Sequence, residues 1–340
     1  MIKYLRIWVV MVVLLGVTTP LWAYEVVVLP GNEAVIDWLK AENWWGEIKK
    51  GEQLLVPKIM ITGISPRWQK NAANMPVPQK KGIFYRVILP LAMHANEMVL
   101  DRRKKMKGMD TVLAGNGKLS PEEIAWLRDL AVTLRITKRE KAEQMSDPAE
   151  LRKVIDQALY KLDVIPAGMV LGQAAYESGY GTSRFAAKGN ALFGQWTYGG
   201  KGLVPEQQRK ELGDHRIAAY DWPFDSVRGY FINLSSHPAY EDFRRLRAEM
   251  KAAGQPLSSM KLIEGLKSYS ERGQKYVDTL KGIIRVNHLA KADNAVFRDE
   301  PMRFLLTTAD EAAAAKLRKD IKAMQKSGEI EKIVKRMRLE

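Results

Sequence analysis

Residues 164–194 read VIPAGMVLGQAAYESGYGTSRFAAKGNALFG, and this stretch decides the fold. Asp163 and Pro166 are start signals for a helix, and the apolar, small-residue run after them predicts that helix from about Ile165 to Tyr176, running straight into Glu177. Val170, Gln173 and Ala174 lie on the turns just before Glu177, so its carboxyl leaves a mostly apolar face. Such surroundings disfavour the charged form and raise a carboxyl's pKa, which a proton donor needs near neutral pH. Gly179 and Gly181 let the chain turn away and leave the group at the lip of a cleft. Taken alone, a glutamate before Ser-Gly at a helix end also reads as an exposed terminus.

Residues 190–219 are rich in glycine and polar residues with β-prone pieces, which predicts a hairpin or a long loop. Around them cluster Phe193, Trp196, Tyr198, Tyr220, Trp222, Phe224, Tyr230 and Tyr240. Sugar rings present apolar C–H faces that stack on aromatic planes, so part of this set is expected in a cleft and the rest in the core. Phe193, Trp196, Tyr220 and Tyr240 are the candidates for substrate contact. Acid catalysis on a glycosidic bond normally uses two carboxyl groups. The second has candidates in Glu206, Glu211, Asp214, Asp221 and Asp225, each of which also reads as a solvated loop charge.

Working outward, residues 1–23 have the form of an export signal: Lys3 and Arg6 precede an apolar run from Ile7 to Val17, and Ala23 offers a small residue for cleavage. An uncleaved anchor is the alternative, against which stands a run shorter than the ~20 residues of a spanning helix. No cysteine is present, so thiol chemistry is excluded. His94, His215, His237 and His288 are scattered without metal-ligand spacing, and no metal or cofactor is expected. The net charge of +15 favours an anionic partner, such as cell-wall glycan carrying peptide carboxylates or a membrane surface. Nucleic acid is not expected, since no nucleic-acid fold signature accompanies the charge. Nothing in the chain speaks to oligomeric state.

Residues 24–79 read as an extended, poorly regular lead-in. A helix is expected over residues 81–107, bent or broken at Pro90. Ser120 with Pro121 and Glu123 is a capping box, and Asp147, Pro148 and Glu150 repeat that grammar. Residues 226–289 are again helical in pattern. Residues 301–340 read as a basic amphipathic helical tail, an appended surface helix that docks on the core or makes peripheral contact with a membrane.

Residues 164–194 closely resemble the glucosaminidase domain of glycoside hydrolase family 73, through Gln173 to Gly179, Gly181, and Asn190 to Gly194. Tyr220, Ser226, Tyr230, His237 to Tyr240, and Tyr276 to Leu289 extend the likeness over about Leu151 to Ala290. Residues 56–100, with VPKIMITGIS and FYRVILPLAMHANEMVL, resemble the N-terminal part of the Bax-type branch of exported Gram-negative glucosaminidases. The resemblance implies a lysozyme-like α+β fold, mainly helical, with a β-hairpin lobe and a helical region before it. It implies cleavage of the β-1,4 bond between N-acetylglucosamine and N-acetylmuramic acid in peptidoglycan, in the periplasm. The family's helix-borne acid maps onto Glu177. Its second glutamate lies in the hairpin lobe, where Glu206 is the nearest counterpart and Glu211 the next, although Val204-Pro205-Glu206-Gln207 departs from the family's Thr-x-Glu-Tyr.

The domain layout expected is therefore a leader (1–23), an irregular then helical region (24–150), a glucosaminidase domain (151–290) and a helical tail (291–340). The competing readings are a lytic transglycosylase, in which one glutamate acts alone, and a non-catalytic wall-binding protein on the same fold. Against the first, Leu192-Phe193-Gly194-Gln195 stands where those enzymes usually carry Gly-Leu-Met-Gln.

Overall fold

The computed structural model describes residues 24–46, 52–197, 199–206, 215–332 and 334. The expected leader lies outside the described residues. The fold is α+β and mainly helical. In chain order the first part holds β1 (Tyr24–Pro30), α1 (Gly31–Ala41), β2 (Leu55–Val56), β3 (Ile59–Ile61), α2 (Pro66–Ala73) and α3 (Val77–Ala114). Next come α4 (Pro121–Thr133), α5 (Arg139–Gln144), α6 (Pro148–Lys161), α7 (Ala167–Ser178) and α8 (Arg184–Gly189). A small lobe of β4 (Trp196–Thr197), β5 (Gly202–Leu203) and β6 (Arg216–Ala218) leads to α9 (Pro223–Ser236) and α10 (Glu241–Ala252). The chain closes with α11 (Ser259–Leu262), α12 (Gln274–Val286), β7 (Val296–Phe297), β8 (Met302–Thr308) and α13 (Glu311–Lys326).

Proline does not break α3, which runs as one 38-residue element through Pro90. Pro90 has no N–H for the carbonyl of Arg86 one turn earlier, and the structure supplies a substitute. Trp44 Nε1–H donates to that carbonyl at 3.0 Å, while Arg86 Nε–H donates back to the carbonyl of Trp44 at 2.9 Å. The expected capping box forms: Ser120 Oγ accepts from Glu123 N at 3.2 Å, and the Glu123 carboxylate accepts from Ser120 N at 2.8 Å. Asp147 likewise accepts from Glu150 N at 2.9 Å to start α6.

α7 is the axis of the molecule, packed against α3, α12 and the 3-10 turn at Leu289–Asn294. All residues from Ala167 to Ala175 are buried, which its glycines permit. A Cβ on Gly168 would stand 2.5 Å from the carbonyl oxygen of Leu289, and one on Gly172 2.9 Å from Ile284. The helix begins two residues later than the pattern suggests, and Asp163 does not cap it. The buried Asp163 carboxylate pairs with Arg103 at 3.3 Å and Lys251 at 2.5 Å. The first turn of α7 is served by Asp293, which accepts from Gly168 N at 3.0 Å.

The entry to α7 is locked by arginines on the end of α6. Arg103 donates to the carbonyls of Leu159 and Leu162 at 2.5 and 2.6 Å. Arg247, on α10, donates to those of Lys161 and Asp163 at 2.8 Å each. Arg247 is 1% exposed, and burial lowers its pKa to about 10 against the opposing pull of Asp163.

Both chain ends depart from expectation. Among the described residues the lead-in carries three strands and two helices, and the tail is not helical from residue 301. β8 lies between β1 and β3, parallel to both, with Val26 opposite Phe304 and Met60 opposite the same residue. The run Met302-Arg-Phe-Leu-Leu-Thr-Thr308 is apolar without helical period and buries Arg303 to Leu305, as a central parallel strand does. Arg303 is neutralised by Glu42 at 2.5 Å and Glu300 at 2.7 Å. α13 starts only at Glu311, capped by Asp310, and turns Ala314 and Ile321 inward. Its apolar face is thus used on the sheet, against β1 and β8. The expected hairpin is a three-stranded antiparallel sheet in the order β4-β6-β5.

Candidate active site

Glu177 is the penultimate residue of α7. Gly179, at φ +57°, stops the helix in the left-handed region, and Tyr180 N–H closes the turn on the carbonyl of Ala175 at 3.0 Å. Ser178 Oγ accepts from Gly181 N at 2.8 Å and so fixes the exit. Glu177 itself stays half-buried. One carboxylate oxygen, Oε1, accepts from Tyr276 O–H at 2.6 Å, and the other faces the backbone of Gly194, where a Cβ would stand 3.6 Å from Oε2.

That hydrogen bond ends a directed chain. Tyr230 O–H donates to Gln173 Oε1, Gln173 Nε2 donates to Tyr276 O at 2.9 Å, and the Tyr276 proton is left for Glu177. Rings enclose the chain: Tyr269 stacks on Tyr276 with centroids 5.7 Å apart, and Tyr176 meets Tyr276 edge-on at 5.6 Å. Burial pushes the Glu177 carboxyl above its ordinary range, and the Tyr276 hydrogen bond pulls it partly back. Burial and the charge of Glu177 push the phenols of Tyr276, Tyr230, Tyr269 and Tyr240 upward, so they stay protonated donors. The arrangement is a carboxyl whose charged form burial disfavours, held by one phenol and half-exposed.

The other sequence candidates separate. Phe193 is 1% exposed and stacked on Tyr230 at 4.1 Å, so it is a floor beneath the site and offers no face to a sugar. Its carbonyl accepts from Tyr269 O–H at 2.9 Å. Tyr240 is 8% exposed, packed on Tyr269 at 5.6 Å. Tyr220 is half-buried, donates to Gln195 Oε1 at 2.8 Å, and is pushed up to about 12 by burial. Trp196, on β4, is 49% exposed and is the candidate with a free ring face, its other side resting on His215.

Glu206 is not in contact with Glu177. Its side chain is 81% exposed and bound to Arg184 Nε at 3.1 Å. Asp221 pairs with Lys201 at 2.7 Å. Asp225 caps α9 through Trp222 N at 3.2 Å and pairs with Arg228 at 3.3 Å. Glu211, Asp214 and Tyr198 lie outside the described residues. Sequence reasoning missed the roles of Tyr276, Tyr230, Tyr269 and Gln173. Gln173 had a legible signal, one turn before Glu177 on the same face; Tyr230 and Tyr276 stood out only as landmarks of the family likeness, and Tyr269 had no signal.

Glu177 thus stands at a helix end among tyrosines, beside the Gly194 backbone two residues before β4. Residues 153–289 match the family model described as mannosyl-glycoprotein endo-beta-N-acetylglucosaminidase, and the chain belongs to this glucosaminidase family of glycan-cleaving enzymes. Among its relatives, Protein bax of Escherichia coli (strain K12) is 31% identical over 210 residues, covering 62% of this chain and 70% of that one. No solved structure matches this chain significantly. The matched residues enclose Glu177, its tyrosines and the β-lobe, while the sheet of β1, β8 and β3 lies outside them.

Proposed function

We propose that this chain is an exported peptidoglycan hydrolase, an endo-β-N-acetylglucosaminidase that cleaves the β-1,4 bond between N-acetylglucosamine and N-acetylmuramic acid. The observation that carries the reading is the Glu177 carboxyl, raised by burial and aimed by Tyr276 at the end of α7. In its protonated form, which burial favours, it gives its proton to the leaving glycosidic oxygen as the sugar develops oxocarbenium character. Tyr276 then stabilises the carboxylate that is left. Trp196 offers an exposed stacking face for a sugar ring, and Tyr220 is the half-exposed second candidate. Glu206 is the proposed second carboxylate, and its bond to Arg184 must open for it to act on water. The leader at residues 1–23 supports export to the periplasm of a Gram-negative bacterium.

One observation favours a second reading. Among the described residues no carboxylate contributes to the shift at Glu177, which suits a lytic transglycosylase in which one glutamate acts alone and the muramyl hydroxyl attacks. Mass analysis of digested sacculi separates the two. Reducing N-acetylglucosamine ends support hydrolysis as proposed, and anhydromuramyl ends sink it.

A further inference from the structure

Four residues before Tyr276, the same segment presents Arg272. The turn Ser270–Gly273 fixes its backbone: Ser270 Oγ accepts from Arg272 N at 3.3 Å, and the Ser270 carbonyl accepts from Gly273 N at 3.0 Å. Its guanidinium donates to the hydroxyl of Tyr176 and to Thr279 Oγ1 at 3.4 Å, with Cζ 6.0 Å from the Tyr176 ring centre. Tyr176 immediately precedes Glu177 and packs edge-on against Tyr276. One short segment therefore holds the donor that aims the acid and a cation beside it.

Arg272 is exposed, and among the described residues no carboxylate pairs with it. An arginine offers five N–H groups in a planar fork that matches a carboxylate. Two are taken by Tyr176 and Thr279, which order the fork without neutralising it. A surface cation ordered by neutral partners, one of them the residue next to Glu177, is built to meet a charge carried by the ligand.

We propose that Arg272 is a specificity-determining residue that binds a carboxylate on the glycan, carried by a stem peptide or by the lactyl group of a stripped muramyl sugar. The assignment rests on the reading of the Glu177 site as a glycan site.

The test uses the full chain carrying Glu177→Gln, so that strands are bound and not cut, with Arg272→Gln or Arg272→Lys added. Calorimetry measures binding of soluble glycan strands with stems, strands stripped of stems, and strands whose carboxylates have been amidated. Arg272→Gln is expected to weaken binding of the carboxylate-bearing strands by about tenfold, as loss of a charge-assisted pair does, with Arg272→Lys in between. Amidated strands should bind all three proteins alike. Whether stripped strands keep the effect tells the lactyl source from the stem. Equal loss on native and amidated strands makes Arg272 merely structural and overturns the proposal, as does no loss or no binding. If binding follows Arg272 while wild type produces no new chain ends, the catalytic reading fails and the carboxylate site stands.

Discussion

Tyr276 donates its phenolic proton to Glu177 Oε1 at 2.6 Å, across 99 residues of chain. Its own oxygen accepts from Gln173, so the proton cannot turn elsewhere without breaking the chain. Burial raises Glu177 and this bond lowers it, and the balance sets the pH at which the acid is lost.

Tyr276→Phe removes the stabiliser of the carboxylate and leaves burial unopposed. The Glu177 pKa is expected to rise further, moving the basic limb of the pH–rate profile to higher pH. Maximal rate should fall by roughly tenfold through lost orientation and the stranded Gln173 amide. A pH–rate series on sacculi checks this, and a basic limb that moves down contradicts it.

Glu177→Gln is expected to stabilise the fold near neutrality. An unfolded glutamate titrates near ~4.3. In the folded protein the value is higher, so between the two the native state holds more protons than the unfolded state and stability falls as pH rises. Glutamine removes that loss while still accepting from Tyr276. Denaturant unfolding at pH 7 should show a gain of about 0.5–2 kcal/mol, in the usual range for relieving an active-site group. The gain should vanish below about pH 4, where both states are protonated; a gain that grows in acid runs against the assignment.

Gly194→Ala tests the open side of the acid. Gly194 sits at φ +60°, and its new methyl would face Glu177 Oε2. The left-handed backbone should cost about 1–2 kcal/mol, and activity should fall with it. Gly199→Ala, with open space around it, serves as control and should stay within about 0.5 kcal/mol of wild type. Thermal melts and rates of both variants make the comparison.

Ending the chain at Glu300 removes β8, the strand between β1 and β3. An appended surface helix could be lost without harm, but a central strand cannot. Loss of cooperative unfolding and exposure of apolar surface to a dye are expected; an unchanged melting transition would mean that the sheet does not hold the chain ends.

Local signals in the sequence were read well and distant ones poorly. Ser120, Asp147 and the Gly179 turn act on neighbours within a few residues, so their chemistry is visible in the chain. Pro90 was expected to bend or break α3, which stays one helix, because the donor that takes up the freed carbonyl, Trp44, lies 42 residues from Arg86. The tail read as a helix because α13 has helical period and β8 is too short to show one. Phe193 read as a sugar contact because an aromatic in a glycine-rich stretch does not announce whether Tyr230 covers it. The helix end that carries Glu177 was legible, and the hydrogen bond it receives from Tyr276 was not.

The most direct measurement is mass analysis of borohydride-reduced digests of purified sacculi, run with wild type and Glu177→Gln side by side. Wild type should release fragments ending in reduced N-acetylglucosamine, and the variant should release at least about a hundredfold fewer. Equal release by the variant, or no release by wild type, contradicts the role given to Glu177.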